Sequence, residues 1–166
     1  MYEKSKKSNG KGRRQGDKIL IGRTEWCGLP ELGLPAVKAR IDTGAKTSAL
    51  HAYDIETFEK AGQIYVRFKI HPLQRNSVLV RVCEAPLIQK KVVISSNGER
   101  EQRYVIKTPL VFPVCTILAE VTLTSRHKMR FRMLLGREAL KKARFIVDPS
   151  KYLLLGSIEE EQSLYE

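Results

Sequence analysis

Apolar and polar residues alternate in short runs along most of this chain and rarely recur at helical spacing. Val37, Ala39 and Ile41 interleave with Lys38 and Arg40, the period-two signature of a half-buried strand. Comparable runs predict strands over residues 19–26, 50–58, 64–70, 78–82, 87–94, 103–106, 117–123 and 129–135, with a last one at Phe145, Ile146 and Val147. Leu29, Pro30, Gly33 and Pro35 force a loop after the first strand, and Ala61-Gly62 turns the chain between two others. Asn97-Gly98, within SSNG at residues 95–98, is the best hairpin signal, because both residues tolerate positive φ. Only residues 137–143, REALKKA, predict a helix, of two turns at most. Many short strands, one helix and no repeated βαβ unit predict an all-β fold, a closed or nearly closed barrel.

Length and charge refine that picture. The 166 residues fit one domain, large enough to hold a core without disulfides or a structural metal. Thirty Lys and Arg against 18 Asp and Glu leave +12, which points to an acidic partner. Residues 1–18 form a basic, Gly-, Ser- and Lys-rich tail expected to be solvated. Without it the remainder still carries +7, eight of its Lys and Arg falling in residues 126–144. The expected domain covers residues 19–156, and residues 157–166, with Glu159, Glu160, Glu161 and Glu166, form an acidic tail.

Several classes lose ground. Apolar stretches are too short to span a membrane, and the basic N-terminus has no apolar run behind it, so no membrane association is expected. Cys27, Cys83 and Cys115 are scattered and odd in number, as expected of reduced thiols in a cytoplasmic protein. His51, His71 and His127 make no zinc motif, and GKGRRQG lacks P-loop spacing, so no cofactor or metal is expected.

The candidate chemistry lies in ARIDTGAKTSALHA, residues 39–52. Acid proteases split amides with a water held between two carboxylates that share one proton, since like charges so close cannot both ionise. Each carboxylate must be fixed at a strand tip, with a hydroxyl to brace its loop and a Gly to allow the turn. The tripeptide alone is weak, because roughly one chain in ten of this length holds Asp-Ser/Thr-Gly by chance. Two features of context strengthen it. It ends the alternating strand VKARI, and much later RMLLGREAL, residues 132–140, reads as strand, Gly, short helix.

On these residues the chain resembles the retropepsin-like proteases, most closely the RimB-type branch once described as ATP-dependent zinc proteases. The resembling stretches are IGRTEWCGLPELGLPAVKARIDTGAKTSALHA, VVISSNGEREQRYVI, EVTLTSRHKMRFRMLLGREAL and FIVDPS, covering about residues 20–150. The resemblance implies an acid-protease barrel with one short helix near the C-terminus. Asp42 would be the catalytic carboxylate, and Thr43 and Gly44 its supporting loop. No second Asp-Ser/Thr-Gly occurs and a bilobed enzyme needs about twice this length, so the dyad would need a homodimer with one Asp42 from each copy. Viral members close a Gly-rich flap over substrate. No such cluster occurs here, and the hairpin around residues 95–98 is the candidate cover.

The branch is associated with a ligase that adds glutamates to a small-subunit ribosomal protein. The resemblance therefore implies a peptidase trimming poly-glutamate tails, in one pathway with that glutamate ligase. The composition agrees: Arg40 and Lys46 bracket the tripeptide, and Arg103 and Arg137 lie in the other matching stretches, each able to hold a carboxylate. Each also reads as a solvated surface charge, and Arg103 as a partner for Glu101. Thr47 and Ser48 are either donors at the site or hydroxyls that close the loop. Trp26 reads as core. Two rival readings stand beside the peptidase: a non-catalytic dimer that binds glutamate tails, and a ribosome- or RNA-binding barrel. The basic tail offers an RNA contact, but the 12 aromatic residues are not interleaved with the basic block as a stacking platform requires. The acidic C-terminal tail could also mimic the substrate and occupy a basic cleft, although a solvated terminus is the simpler expectation.

Overall fold

The computed structural model describes residues 17–94, 97–125 and 130–166. Most of the basic tail, the first half of SSNG and residues 126–129 of the basic block lie outside these. The strands are β1 (Ile19–Ile21), β2 (Thr24–Leu29), β3 (Leu34–Ile41), β4 (Ser48–His51), β5 (Tyr53–Lys60), β6 (Gln63–Ile70), β7 (Arg81–Ile94), β8 (Arg100–Phe112), β9 (Cys115–Thr124), β10 (Met133–Leu135) and β11 (Phe145–Val147). One α-helix, α1 (Arg137–Ala143), falls where the sequence predicts it.

Nine strands form one sheet in the order β2-β3-β10-β4-β9-β8-β7-β6-β5, and a pairing of β2 with β8 closes its first six into a barrel. The closing contact is Gly28 opposite Val111. The period-two runs of the barrel strands turn their apolar sides inward, whereas Val78, Val82, Val92 and Ile94 stay exposed. On β8, Ile106, Thr108, Leu110 and Phe112 are buried, and on β9 Ile117, Ala119, Val121 and Leu123 face them. Leu29, Leu34, Leu50, Met133 and Leu135 complete an interior from which water is excluded. Each such side chain contributes about 1.5–3 kcal/mol when fully buried.

Several predicted boundaries shift: residues 103–106 extend to Arg100–Phe112, and the run over 129–135 yields strand only at Met133–Leu135 among its described residues. Residues 19–26 form two strands, because the chain turns at Gly22 and Arg23 after β1 pairs with β11. Residues 50–58 break at Ala52, where β4 leaves the barrel and β5 begins an outlying hairpin with β6. Residues 78–80 are not strand; Asn76 Oδ1 accepts the N–H groups of Val78 and Leu79 in a turn, and β7 starts at Arg81. The hairpin signal at Asn97-Gly98 does join the long antiparallel strands β7 and β8, with Gly98 at φ 82°.

The C-terminal segment packs on the barrel rather than standing off in solvent. Tyr165 is buried, its hydroxyl donates to the Ala36 carbonyl, and the Arg81 guanidinium donates to the Tyr165 backbone carbonyl. The acidic side chains Glu159, Glu160 and Glu166 stay exposed. This anchor lies at the opposite end of β3 from Asp42, so within one chain the tail does not reach the Asp-Thr-Gly loop. Among the described residues, no helix is long and apolar enough to cross a membrane.

Candidate active site

Strand β10 is what builds the site. It lies between β3, to which it runs parallel, and β4, to which it runs antiparallel. Residues 42–47, which join β3 to β4, must therefore arch over the end of β10. Leu135 pairs with Ile41, so β3 and β10 finish side by side, and Asp42 N–H donates to the Leu135 carbonyl at 2.9 Å. Asp42 Oδ1 accepts the N–H of Gly44 at 3.0 Å, which folds the tripeptide into a tight turn around its carboxylate. Asp42 is half-buried at the strand tip, and Thr43 and Gly44 are exposed beside it.

Gly136 and α1 lock this turn from below. A side chain at Gly136 would bring its Cβ within 2.7 Å of the Thr47 carbonyl carbon, so only glycine lets the two segments approach. The N–H of Gly136 donates to Ser48 Oγ at 3.0 Å, and those of Arg137 and Glu138 to the carbonyls of Ala45 and Lys46 at 2.8 and 3.1 Å. Helix α1 has no side-chain cap, so the loop's carbonyls satisfy N–H groups that a helix start leaves free. The Arg137 guanidinium donates to the carbonyls of Thr43 and Gly44 at 3.1 and 3.0 Å. The carbonyls of residues 42–46 are all held, by backbone N–H groups or by the Arg137 guanidinium.

The structure thus sorts the expected residues. Asp42, Thr43, Gly44, Arg40, Lys46, Thr47, Ser48 and Arg137 all come together at this corner. Ser48 is buried and braces Gly136, and Arg137 braces the turn, so both hold the loop. Arg103 is 9% exposed on the β7–β8 hairpin and paired with Glu101 at 3.2 Å. It lines neither of the two cavities that flank the loop. One of these, about 280 Å³, contains Lys46, Thr47 and Ser48 with Lys91, Lys107 and Lys142, and also Glu120 and Glu138. The other, about 610 Å³, contains Arg40 and Ile41. Beside Thr43 a third hollow, of about 380 Å³, is lined by Leu140, Phe145 and Ile146.

Sequence reasoning missed Glu25. It is fully buried at the start of β2, and its carboxylate accepts the N–H groups of Gly22, Leu154 and Leu155 at 3.2, 3.0 and 2.8 Å. That acid clamps the chain after β11 against the β1–β2 turn, beneath the cavity that contains Arg40. A Glu inside the apolar run ILIGRTEWC was the available signal, since such a residue is rarely buried without dedicated partners. Among the described residues no three His, Cys, Asp or Glu side chains converge as metal ligands do.

A six-stranded barrel whose strand ends in Asp-Thr-Gly, locked by a strand-Gly-helix element, is the half-site architecture of a retropepsin-like protein. Comparison with known proteins agrees and narrows it: residues 20–155 match the family model described as retropepsin-like aspartic endopeptidase RimB, and the chain belongs to this RimB-like family. Curated relatives include a "Probable alpha-L-glutamate ligase" of Desulfotalea psychrophila, 46% identical over 87% of this chain and 31% of the relative. A protein of the same name from Shewanella pealeana is 43% identical over 88% of this chain and 32% of its own length. The chain thus spans about a third of the length of these relatives. Among solved structures, a Legionella pneumophila protein of unknown function superposes with a TM-score of 0.68, at 26% identity, over 84% of this chain and 99% of that one.

Proposed function

We propose that this chain is half of an aspartic peptidase that hydrolyses acidic peptides, with poly-glutamate tails on a ribosomal protein as the substrate. The observation that carries the reading is Asp42 itself: a carboxylate at a strand tip, with its turn closed onto Oδ1 and its backbone tied to β10. A second copy supplies the other Asp42 by two-fold symmetry. The parallel β1–β11 ribbon supports that pairing. It adjoins the Thr43 hollow and exposes Leu20 and Ile146, 53% and 47% accessible, as apolar surface for a partner.

In the dimer one carboxylate is ionised and the other protonated. The ionised one takes a proton from the bound water as its oxygen attacks the peptide carbonyl carbon, while the protonated one gives its proton to the carbonyl oxygen. The tetrahedral diol then collapses: the amide nitrogen takes the proton now on the first carboxylate, the C–N bond breaks, and a diol hydroxyl returns its proton to the second carboxylate. The β7–β8 hairpin is the candidate cover that excludes water from this step.

The acidic substrate rests on two supports. Basic side chains flank the loop on both sides, and the relatives' name describes a glutamate ligase, whose product is a glutamate chain. The test is incubation with poly-glutamate and with a neutral peptide, alongside Asp42→Asn. Cleavage of the acidic peptide alone, abolished in the variant, is the expected result. Equal binding of poly-glutamate by both proteins without cleavage would identify a binding module instead. A preference for RNA with a steep salt dependence would identify the nucleic-acid reading.

A further inference from the structure

Two arginines away from the Asp42 corner pair with acids: Arg67 with Glu56 and Glu84 at 3.3 and 2.9 Å, and Arg103 with Glu101. The 610 Å³ cavity beside Asp42 is different. Arg23, Lys38, Arg40, Arg75 and Arg130 line it, and among the described residues no Asp or Glu does. Like charges so gathered repel one another and gain nothing for folding. The cavity on the other side of the loop holds lysines too, but with Glu120 and Glu138 among them.

Four separate stretches of chain converge to make this cluster. Lys38 and Arg40 point outward from β3, and Arg23 comes from the β1–β2 turn, its carbonyl accepting the Ile41 N–H at 2.9 Å. Arg75 and Arg130 come from two loops tied together by Gln74 Nε2, which donates to the Arg130 carbonyl at 3.1 Å. Arg75 has φ 55°, a left-handed conformation that is unfavourable for a non-glycine residue. The Asn76 turn holds it there. Two of the stems are braced by aromatic faces: Arg23 lies over the Tyr152 ring and Lys38 over the Trp26 ring, each at 5.1 Å. Backbone strain, loop pinning and aromatic support are all invested in presenting positive charge at one place.

We infer that this cavity is a carboxylate-selective subsite that takes the acidic side chains of the substrate next to the bond being cut. Arg40 lies two residues before Asp42, about 7 Å along an extended strand. A carboxylate held there belongs to a residue adjoining the scissile bond. The volume exceeds what one carboxylate side chain fills, so a second acidic residue of the same peptide reaches Arg75 and Arg130. Arg75 and Arg130 become the residues that favour consecutive acids over a single one. This inference rests on the peptidase reading for its meaning, but its test does not.

The test pairs Arg75→Gln/Arg130→Gln with a charge-matched control, Lys60→Gln/Lys69→Gln, on the outlying β5–β6 hairpin. Binding of a fluorescent hexaglutamate is measured by anisotropy in the Asp42→Asn background, with hexaglutamine and an RNA oligonucleotide as further arms. Hydrolysis is followed with Asp42 intact. The expected result is an affinity for hexaglutamate about tenfold lower in the cavity variant and changed less than about twofold in the control, with KM rising and kcat little changed. An equal loss in the control, no loss in the cavity variant, or tighter RNA binding through the same two arginines would overturn the subsite. If the intact protein binds as expected but cleaves nothing, the peptidase reading fails and the subsite stands. If it cleaves and the variant does not differ, the reverse holds.

Discussion

The Asp42 loop and the cationic cavity adjoin each other but are built on opposite principles. In the loop, geometry is set by backbone: Asp42 on Leu135, Gly44 on Asp42, Arg137 on Ala45, Glu138 on Lys46, with Gly136 leaving no room to move. In the cavity, long cationic side chains reach one space from four segments, and four of the five are largely exposed. On the proposed reading the reacting group is thus held rigidly, as bond-making chemistry demands. The groups proposed to choose the substrate stay solvated and adjustable, and their attraction is screened by salt. Changes in the loop should act nearly all-or-none, and changes in the cavity should be graded.

Gly136→Ala should have the largest effect. Its methyl group meets backbone at 2.7 and 2.8 Å, and no flexible side chain is there to give way. We expect a loss of about 3 kcal/mol in urea unfolding, together with loss of hydrolysis. A variant that folds and cleaves normally would show that the loop is less rigid than the comparison requires.

Glu25→Gln comes next, with about 2 kcal/mol lost, because an amide cannot accept three N–H groups as a carboxylate does. Its effect should spread to the cavity and spare the loop. Leu154 and Leu155 are released beside Tyr152 and Leu153, which line the cavity. Hydrogen exchange should rise in residues 151–155, and KM for an acidic peptide should rise more than kcat falls.

The smallest effect lies far from both regions. Burial pushes the Tyr165 hydroxyl up to about 12. A raised value in the folded state means that its contribution is fully present below about pH 10, the ordinary tyrosine value, and is lost as pH rises through about 12. Tyr165→Phe should remove that alkaline step from a stability-against-pH curve while leaving KM and kcat at neutral pH unchanged. A change in either kinetic constant would couple the C-terminal anchor to the site.

The local parts of this architecture are legible in the sequence. VKARI alternates because one side of β3 faces the core, and MLLG-REAL reads as strand, Gly and helix because apolar period, glycine and helix formers change over in four residues. What stays hidden depends on partners distant in sequence. Glu25 stands out in its run, but two of the three N–H groups that satisfy it lie 129 and 130 residues later, so its local sequence does not show what it clamps. Arg75 joins the cavity only because its loop meets residue 130, and Tyr165 is anchored by Ala36. The role of Ser48 turned on a contact 88 residues away, with Gly136. Period-two patterns report which side of a strand is buried, and they carry no information on which loops meet.

The central claim is that two copies of Asp42 form one site. Mixing a fixed amount of intact protein with a tenfold excess of Asp42→Asn, under conditions of subunit exchange, measures it directly. Hydrolysis of poly-glutamate should fall by roughly tenfold, because most intact chains then pair with a copy that cannot complete the dyad. Activity unchanged by the excess, or no hydrolysis by the intact protein alone, would contradict the account.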